Sequence, residues 1–185
     1  AARQEQSNTT TEMAAEQYAA LDRESAPAVL RASALLGQAR CMRRLGRSAE
    51  VSRLYHRVMN EFPAALDETG SNLGAEAASA WFKFAQGSGD ANLGVQAWRE
   101  YADGLLAEHF PMPWALALSH LTNTLAQVPI ATDADDDVDR RQKLRLAIDQ
   151  LEQMGHAVTA VPTAGLSDTP YLVQQDDMLL LAQRV

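Results

Sequence analysis

A mainly α-helical chain built from antiparallel hairpins is the fold class this sequence predicts, and three observations lead there. Apolar residues recur at steps of three and four over most of the 185 residues, which is the period of a helix buried along one face. Glycine and proline fall between those stretches rather than inside them, as interhelical punctuation does. The helical period then ends after His156, and a turn-rich segment takes over. The boundaries read from this are a helical array over residues 1–156 and a second segment over 157–185.

The elements follow in order. An N-terminal helix is expected near Thr11 to Arg23. Ala28, Ala32, Leu35, Ala39 and Met42 mark one face of the next, which Gly46 stops. Val51, Leu54, Tyr55, Val58, Met59 and Phe62 mark its partner, closed by Pro63, so the two form an antiparallel hairpin about the turn Gly46 to Ser48. Leu73, Ala77, Ala80, Trp81 and Phe84 give another helix, ended by Gly87-Ser88-Gly89, and Gly94, Trp98, Tyr101 and Leu105 give its partner. Trp114, Leu118, Leu121, Leu125 and Val128 follow Pro113, which suits a first helical turn. The last long helix runs from Val138 to Met154, with Leu144, Ile148 and Leu151 inward and Gly155 as its stop. That makes about seven helices. Beyond them, YLVQQDDMLLLAQRV has two apolar runs around a polar QQDD and reads as a small C-terminal β-hairpin. Ala39, Tyr55, Trp81, Trp98 and Leu121 are the expected core.

Composition narrows the function. A net charge of −8 argues against a nucleic-acid partner, which needs a basic face. The average conceals an asymmetry: Arg31 to Arg57 holds seven arginines and one acid, Glu50. A single cysteine, Cys41, excludes an internal disulfide and a zinc site of paired thiolates; it alternates with the apolar face of its helix and reads as structural. No apolar run approaches the roughly 18 residues of a membrane span. The chain begins AAR and stops at Val185 within an apolar run, so flanking segments such as a signal peptide or membrane anchor are expected outside it.

No constellation of reaction chemistry emerges, so no catalytic residue, cofactor or metal is expected. The run DADDDVD, Asp133 to Asp139, has calcium-loop spacing at Asp133, Asp135 and Asp137, but Val138 stands at the turn-glycine position and Leu144 at the closing-glutamate position. Its charge suits the N-terminus of the following helix instead. His56, His109, His120 and His156 show no ligand spacing. Candidate binding residues are Arg40, Arg43, Arg44 and Arg47, at steps of three, one and three on the first helix of the hairpin or its turn. A guanidinium fork matches a carboxylate or phosphate. Most of the aromatics fall on helical stripes and read as core; Phe82 lies off the stripe and is the one expected to face something else.

The hairpin resembles a tetratricopeptide repeat, with Ala39 as the small residue at the helix crossing, Gly46 as the turn, Tyr55 as the packing aromatic and Pro63 as the end of the unit. Gln38 and Val51 depart from the family pattern, where leucine and alanine are usual. YAALDRESAP, YHRVMNEFP and YADGLLAEHFP echo one another as ends of second helices, which suggests a degenerate α-solenoid array. The resemblance implies that the first helix of each pair lines a concave face, and that Arg40, Arg43 and Arg44 stand where such arrays hold a partner's carboxylates. Taken whole, the order of parts is similar to the extracytoplasmic input region of certain bacterial membrane-bound sensor histidine kinases. It has a YAAL helix end, the ARCMRRLGRSAEVSRLYHRV repeat, the Pro113-Trp114 entry and a closing hairpin. That resemblance implies a non-catalytic sensory domain on the periplasmic side of an inner membrane, binding an anionic ligand or a protein tail. The alternative is a free-standing cytoplasmic adaptor that binds a partner's acidic tail.

Overall fold

The computed structural model describes the backbone of residues 2–129, 135–159, 171–175 and 178–182, and the side chains of residues 8–129 and 135–155. The chain is mainly α-helical. Its described residues form seven helices: α1 (Ala2–Leu21), α2 (Ala28–Arg44), α3 (Ser48–Glu61), α4 (Leu73–Gly87), α5 (Ala91–Leu106), α6 (Trp114–Ala126) and α7 (Asp135–Thr159). It divides into two units, Ala1–Glu152 and Gln153–Val185.

Local chemistry sets the hairpins of the first unit. At the end of α2, Gly46 takes φ +72°, a left-handed conformation in which a side chain would be strained. Its N–H donates to the Arg43 carbonyl and the Arg47 N–H to the Met42 carbonyl at 3.0 Å, the paired bonds of a Schellman end. Asn72 caps α4 by accepting from the Ala75 N–H, and the Asp90 carboxylate caps α5 by accepting from the N–H groups of Asn92 and Leu93. Consecutive helices from α1 to α6 then pack on one another in chain order, and α2 also meets α4.

The expected core is where it was placed: Ala39, Tyr55, Trp81, Trp98 and Leu121 are each at most 4% exposed. Trp98 donates its indole N–H to the Thr124 carbonyl at 3.0 Å, tying α5 to α6 through a buried bond. Cys41 is buried too. The chain between α3 and α4 is fixed by Asn72, which is 5% exposed. Its amide donates to the carbonyls of Pro63 and Pro111 at 2.8 and 2.9 Å. The prolines of two of the three sequence echoes thus meet at one side chain. Phe110 fills the same corner, where a Cβ at Gly104 would stand 2.6 Å from its ring and one at Gly74 would stand 3.0 Å from it.

The first and last helices differ from expectation at their ends: α1 begins at Ala2 and not near Thr11, and α7 begins at Asp135 and not at Val138. Gly155 does not stop α7, which continues to Thr159; a lone glycine costs a helix only about 1 kcal/mol against alanine, and no proline or left-handed turn accompanies it there. In the second unit the backbone of Tyr171–Gln175 lies antiparallel to Met178–Ala182. The turn at 176 and 177, the run 160–170 and every side chain beyond Gly155 lie outside the described residues, and with them the packing of the expected β-hairpin and the side chain of His156. Among the described residues, no helix is long and apolar enough to cross a membrane.

Candidate functional site

Two helices present matching faces to a shared groove. Around α4 the lining residues are Asn72, Glu76, Ser79, Ala80 and Lys83; around α6 they are Met112, Leu116, Ser119, His120 and Asn123. Glu76, Ser79, Ala80 and Lys83 share one side of α4, and Leu116, Ser119, His120 and Asn123 one side of α6, while Asn72 and Met112 stand just before the two helices. Arg43 of α2 completes the wall of a first hollow of about 350 Å³. A second hollow of about 280 Å³ shares Ser79, Lys83 and His120 with the first and extends it toward Tyr101, Ser119, Asn123 and Thr124. Alternate helices, α2, α4 and α6, therefore supply most of the lining.

The arginine set divides. Arg40, Arg43 and Arg44 are exposed, and none forms a hydrogen bond or ion pair with a described residue. Arg43 lines the first hollow. Burial raises the pKa of the Tyr55 hydroxyl, and the charges of Arg43 and Arg40 pull it back, which places both near the buried ring. Arg47 does not join them. At the N-terminus of α3 it turns to α1 and pairs with Glu12 at 2.7 Å, because the left-handed turn at Gly46 redirects the chain between Arg44 and Arg47. Phe82 is a second correction: it is 2% exposed, its ring 6.5 Å from that of Tyr101. Being off the stripe of α4 turned it toward α5, so it contributes only the floor of the second hollow.

Two groups that the sequence reading did not single out, Lys83 and Asn123, and one that it set aside, His120, are central to the geometry. Lys83 is exposed at the seam of the two hollows with no ion pair to a described residue. His120 Nδ1 is hydrogen-bonded to the Tyr101 hydroxyl. Burial pushes that phenol's pKa up to about 12, so it stays protonated as a neutral hydroxyl beside Nδ1. Burial, assisted by the charge of Lys83, holds the His120 pKa below its ordinary 6.5. Asn123 stands beyond Ser119 along α6. Arg43, Lys83 and Asn123 are spaced forty residues apart, as are Arg40, Ala80 and His120, but the residue types change at each step and give no signal in the sequence.

The other candidates are engaged elsewhere. His56 bonds to Glu100 at 2.9 Å, and Trp81 donates to the same carboxylate oxygen at 3.0 Å. His109 meets the Met59 carbonyl. Of the calcium-spaced aspartates, Asp133 lies outside the described residues. Asp137 is fully buried and receives both Arg99, at 2.8 Å through two nitrogens, and Arg140, at 2.9 Å. Hydrogen bonds from Arg99 hold its carboxyl below the ordinary aspartate range against the opposing effect of burial. Asp135, Asp136 and Asp137 form the first turn of α7, where their charge suits the helix end. Among the described residues, no three His, Cys, Asp or Glu side chains gather as a metal site.

The groove thus offers cations and neutral donors, with Met112, Leu116 and Ala80 as apolar wall and Glu76 as its acid. Comparison of the chain with family models, with curated proteins and with solved structures finds no match.

Proposed function

We propose that this chain is a non-catalytic recognition domain, the extracytoplasmic input region of a bacterial two-component sensor kinase, and that it binds an anionic group in the groove of α2, α4 and α6. One observation carries the binding part of the reading: Arg43 and Lys83, both without an ion pair to a described residue, converge on one groove in a chain whose net charge is −8. Unpaired cations that share a hollow repel each other, so an anion placed between them gains from both. The sensor part rests on the order of parts in the sequence. It includes the finer architecture, a tetratricopeptide-like α-solenoid closed by a small β-hairpin, and the periplasmic side of the membrane.

The free-standing adaptor is favoured by a different observation. Met112 and Leu116 stand beside Arg43 and Lys83, which suits a peptide tail carrying an apolar side chain next to a carboxylate. Both readings share one binding test. A short acidic peptide with a free C-terminus is titrated by calorimetry against the parent chain and against Arg43→Glu. Charge reversal beside the groove is expected to weaken binding by about tenfold or more, the equivalent of roughly 1.4 kcal/mol. Unchanged affinity would sink the binding reading. Hydrophobic helices on both sides of this region in the full-length gene would separate the sensor from the adaptor.

A further inference from the structure

We infer that the second hollow, between α4, α5 and α6, is a site for a small tetrahedral oxyanion, held by Lys83, the protonated ring of His120 through Nε2 and the neutral donors Ser119 and Asn123. The reasoning starts from what lines it. No carboxylate does: the residues are Ser79, Phe82, Lys83, Tyr101, Ser119, His120, Asn123, Thr124 and Gln127. In a chain with 24 acids against 16 Lys and Arg, a donor-rich hollow free of acids is the feature to explain.

The donors are also prepared. Tyr101 occupies Nδ1 of His120, which leaves Nε2 as the ring nitrogen without a partner among the described residues; a proton on the ring makes it a donor. The Thr124 hydroxyl is spent on the His120 carbonyl at 2.7 Å, which anchors the residue's backbone. Ser79 and Thr124 both also lie near the Tyr101 hydroxyl. Lys83, Ser119 and Asn123 form the open rim, with no hydrogen bond to a described residue. Charge-assisted bonds from such a set to an oxyanion are shorter and stronger than neutral ones.

Titration of His120 then tunes the site. The titratable groups around it are Lys83 from α4, Tyr101 from α5, and, in the adjoining hollow, Arg43 from α2 and Glu76 from α4. A proton on His120 adds a second cation to the hollow, so anion affinity rises as pH falls through its titration. The bound anion raises that pKa in return, by linkage.

Sulfate is the probe, since its charge is constant over the relevant pH range. It is titrated into the isotopically labelled chain at constant ionic strength and followed at the His120 ring nitrogens and the α4 and α6 amides. Saturable shifts in those groups are expected, with affinity several-fold higher at pH 5.5 than at 7.5. Lys83→Met is exposed and unpaired, so it leaves the melting temperature unchanged and weakens sulfate tenfold or more. His120→Gln flattens the pH dependence. Arg43→Glu, at a residue that lines the first hollow and not this one, leaves sulfate binding in place even where it abolishes peptide binding, which keeps this site separable from the reading above. Sulfate shifts confined to Arg40–Arg47, parent-like affinity in Lys83→Met, or glycerol bound as well as sulfate would each overturn the assignment.

Discussion

Arg31 and Arg57 belong to the same basic segment as Arg40, Arg43 and Arg44, yet the fold treats the two groups in opposite ways. Arg31 reaches Asp22 at 3.0 Å and stacks over Phe62 at 4.9 Å. Arg57 meets the other oxygen of Asp22 at 2.9 Å and also Glu61. One carboxylate just beyond the end of α1 thus gathers two arginines from α2 and α3. The groove-side arginines meet no such acid; Glu76 shares the hollow with Arg43 but does not close on it. A charge count over the segment cannot distinguish these cases, because the neutralising acids arrive from other helices. The difference separates arginines that hold helices together from arginines left available.

The largest effect that separates the groups is expected at Asp22. Asp22→Ala leaves both guanidinium groups without their shared acceptor at a site where the carboxylate is only 13% exposed. The expected loss is about 1–3 kcal/mol, several degrees in melting temperature. Burial alone would raise the Asp22 pKa, and the hydrogen bonds from Arg31 and Arg57 outweigh it, so the carboxyl titrates below its ordinary 3.8. The sign follows. A depressed carboxyl contributes stability above its unfolded value and loses it as pH falls through the folded one. Acid unfolding should therefore set in below about pH 3.8 in the parent and be less steep in Asp22→Ala. Identical melting of the two proteins would show the clasp to be ornamental.

A smaller effect is expected at His120, on the groove side. Its folded pKa lies below the ordinary 6.5, so the unfolded chain binds the proton more readily and stability falls as pH drops below about 6.5. That window lies above the carboxylate window, so the two contributions can be read apart in melting temperatures taken from pH 7.5 to 3. His120→Gln should remove the upper one alone. Sulfate at saturating concentration should reduce it, because an anion beside the imidazolium favours the charged form. An unchanged upper limb in the variant would place the titration elsewhere.

The helices were legible because their signals are local. The apolar steps of three and four, Gly46, Pro63 and Gly89 act within a turn or two of the chain, and α2 to α5 fall close to where they place them. The site was legible only in part. Arg43 could be found from its own helix, but Lys83 and His120 become a site only when α4 and α6 are set beside it. The forty-residue recurrence that links them is masked by identity changes: arginine, lysine and asparagine in one series, arginine, alanine and histidine in the other. Phe82 was misjudged because α4 is buried on two sides, against α3 and α5, and a residue off one apolar stripe can lie on another. Gly155 was misjudged because glycine weakens a helix without ending it unless the next residues provide the left-handed turn.

The smallest effects should appear at Arg40 and Arg44, and their signs sharpen the contrast with Asp22. The two residues stand four apart on α2, so their like charges repel by about 0.2–0.5 kcal/mol. Arg40→Glu replaces that repulsion with an attractive pair in the favoured order, acid before base, and should leave stability unchanged or raised by a few tenths of a kcal/mol. Arg44→Glu also makes an opposite pair, but in the weaker order. It also places an acid on the last residue of α2, where the helix dipole disfavours it by about 0.3–1 kcal/mol. A net loss below about 1 kcal/mol is therefore expected. Urea midpoints with unchanged slopes would resolve the two. A loss of about 2 kcal/mol or more in either variant would mean that the arginine holds a partner after all, and the division between clasping and available arginines would fail at its clearest member.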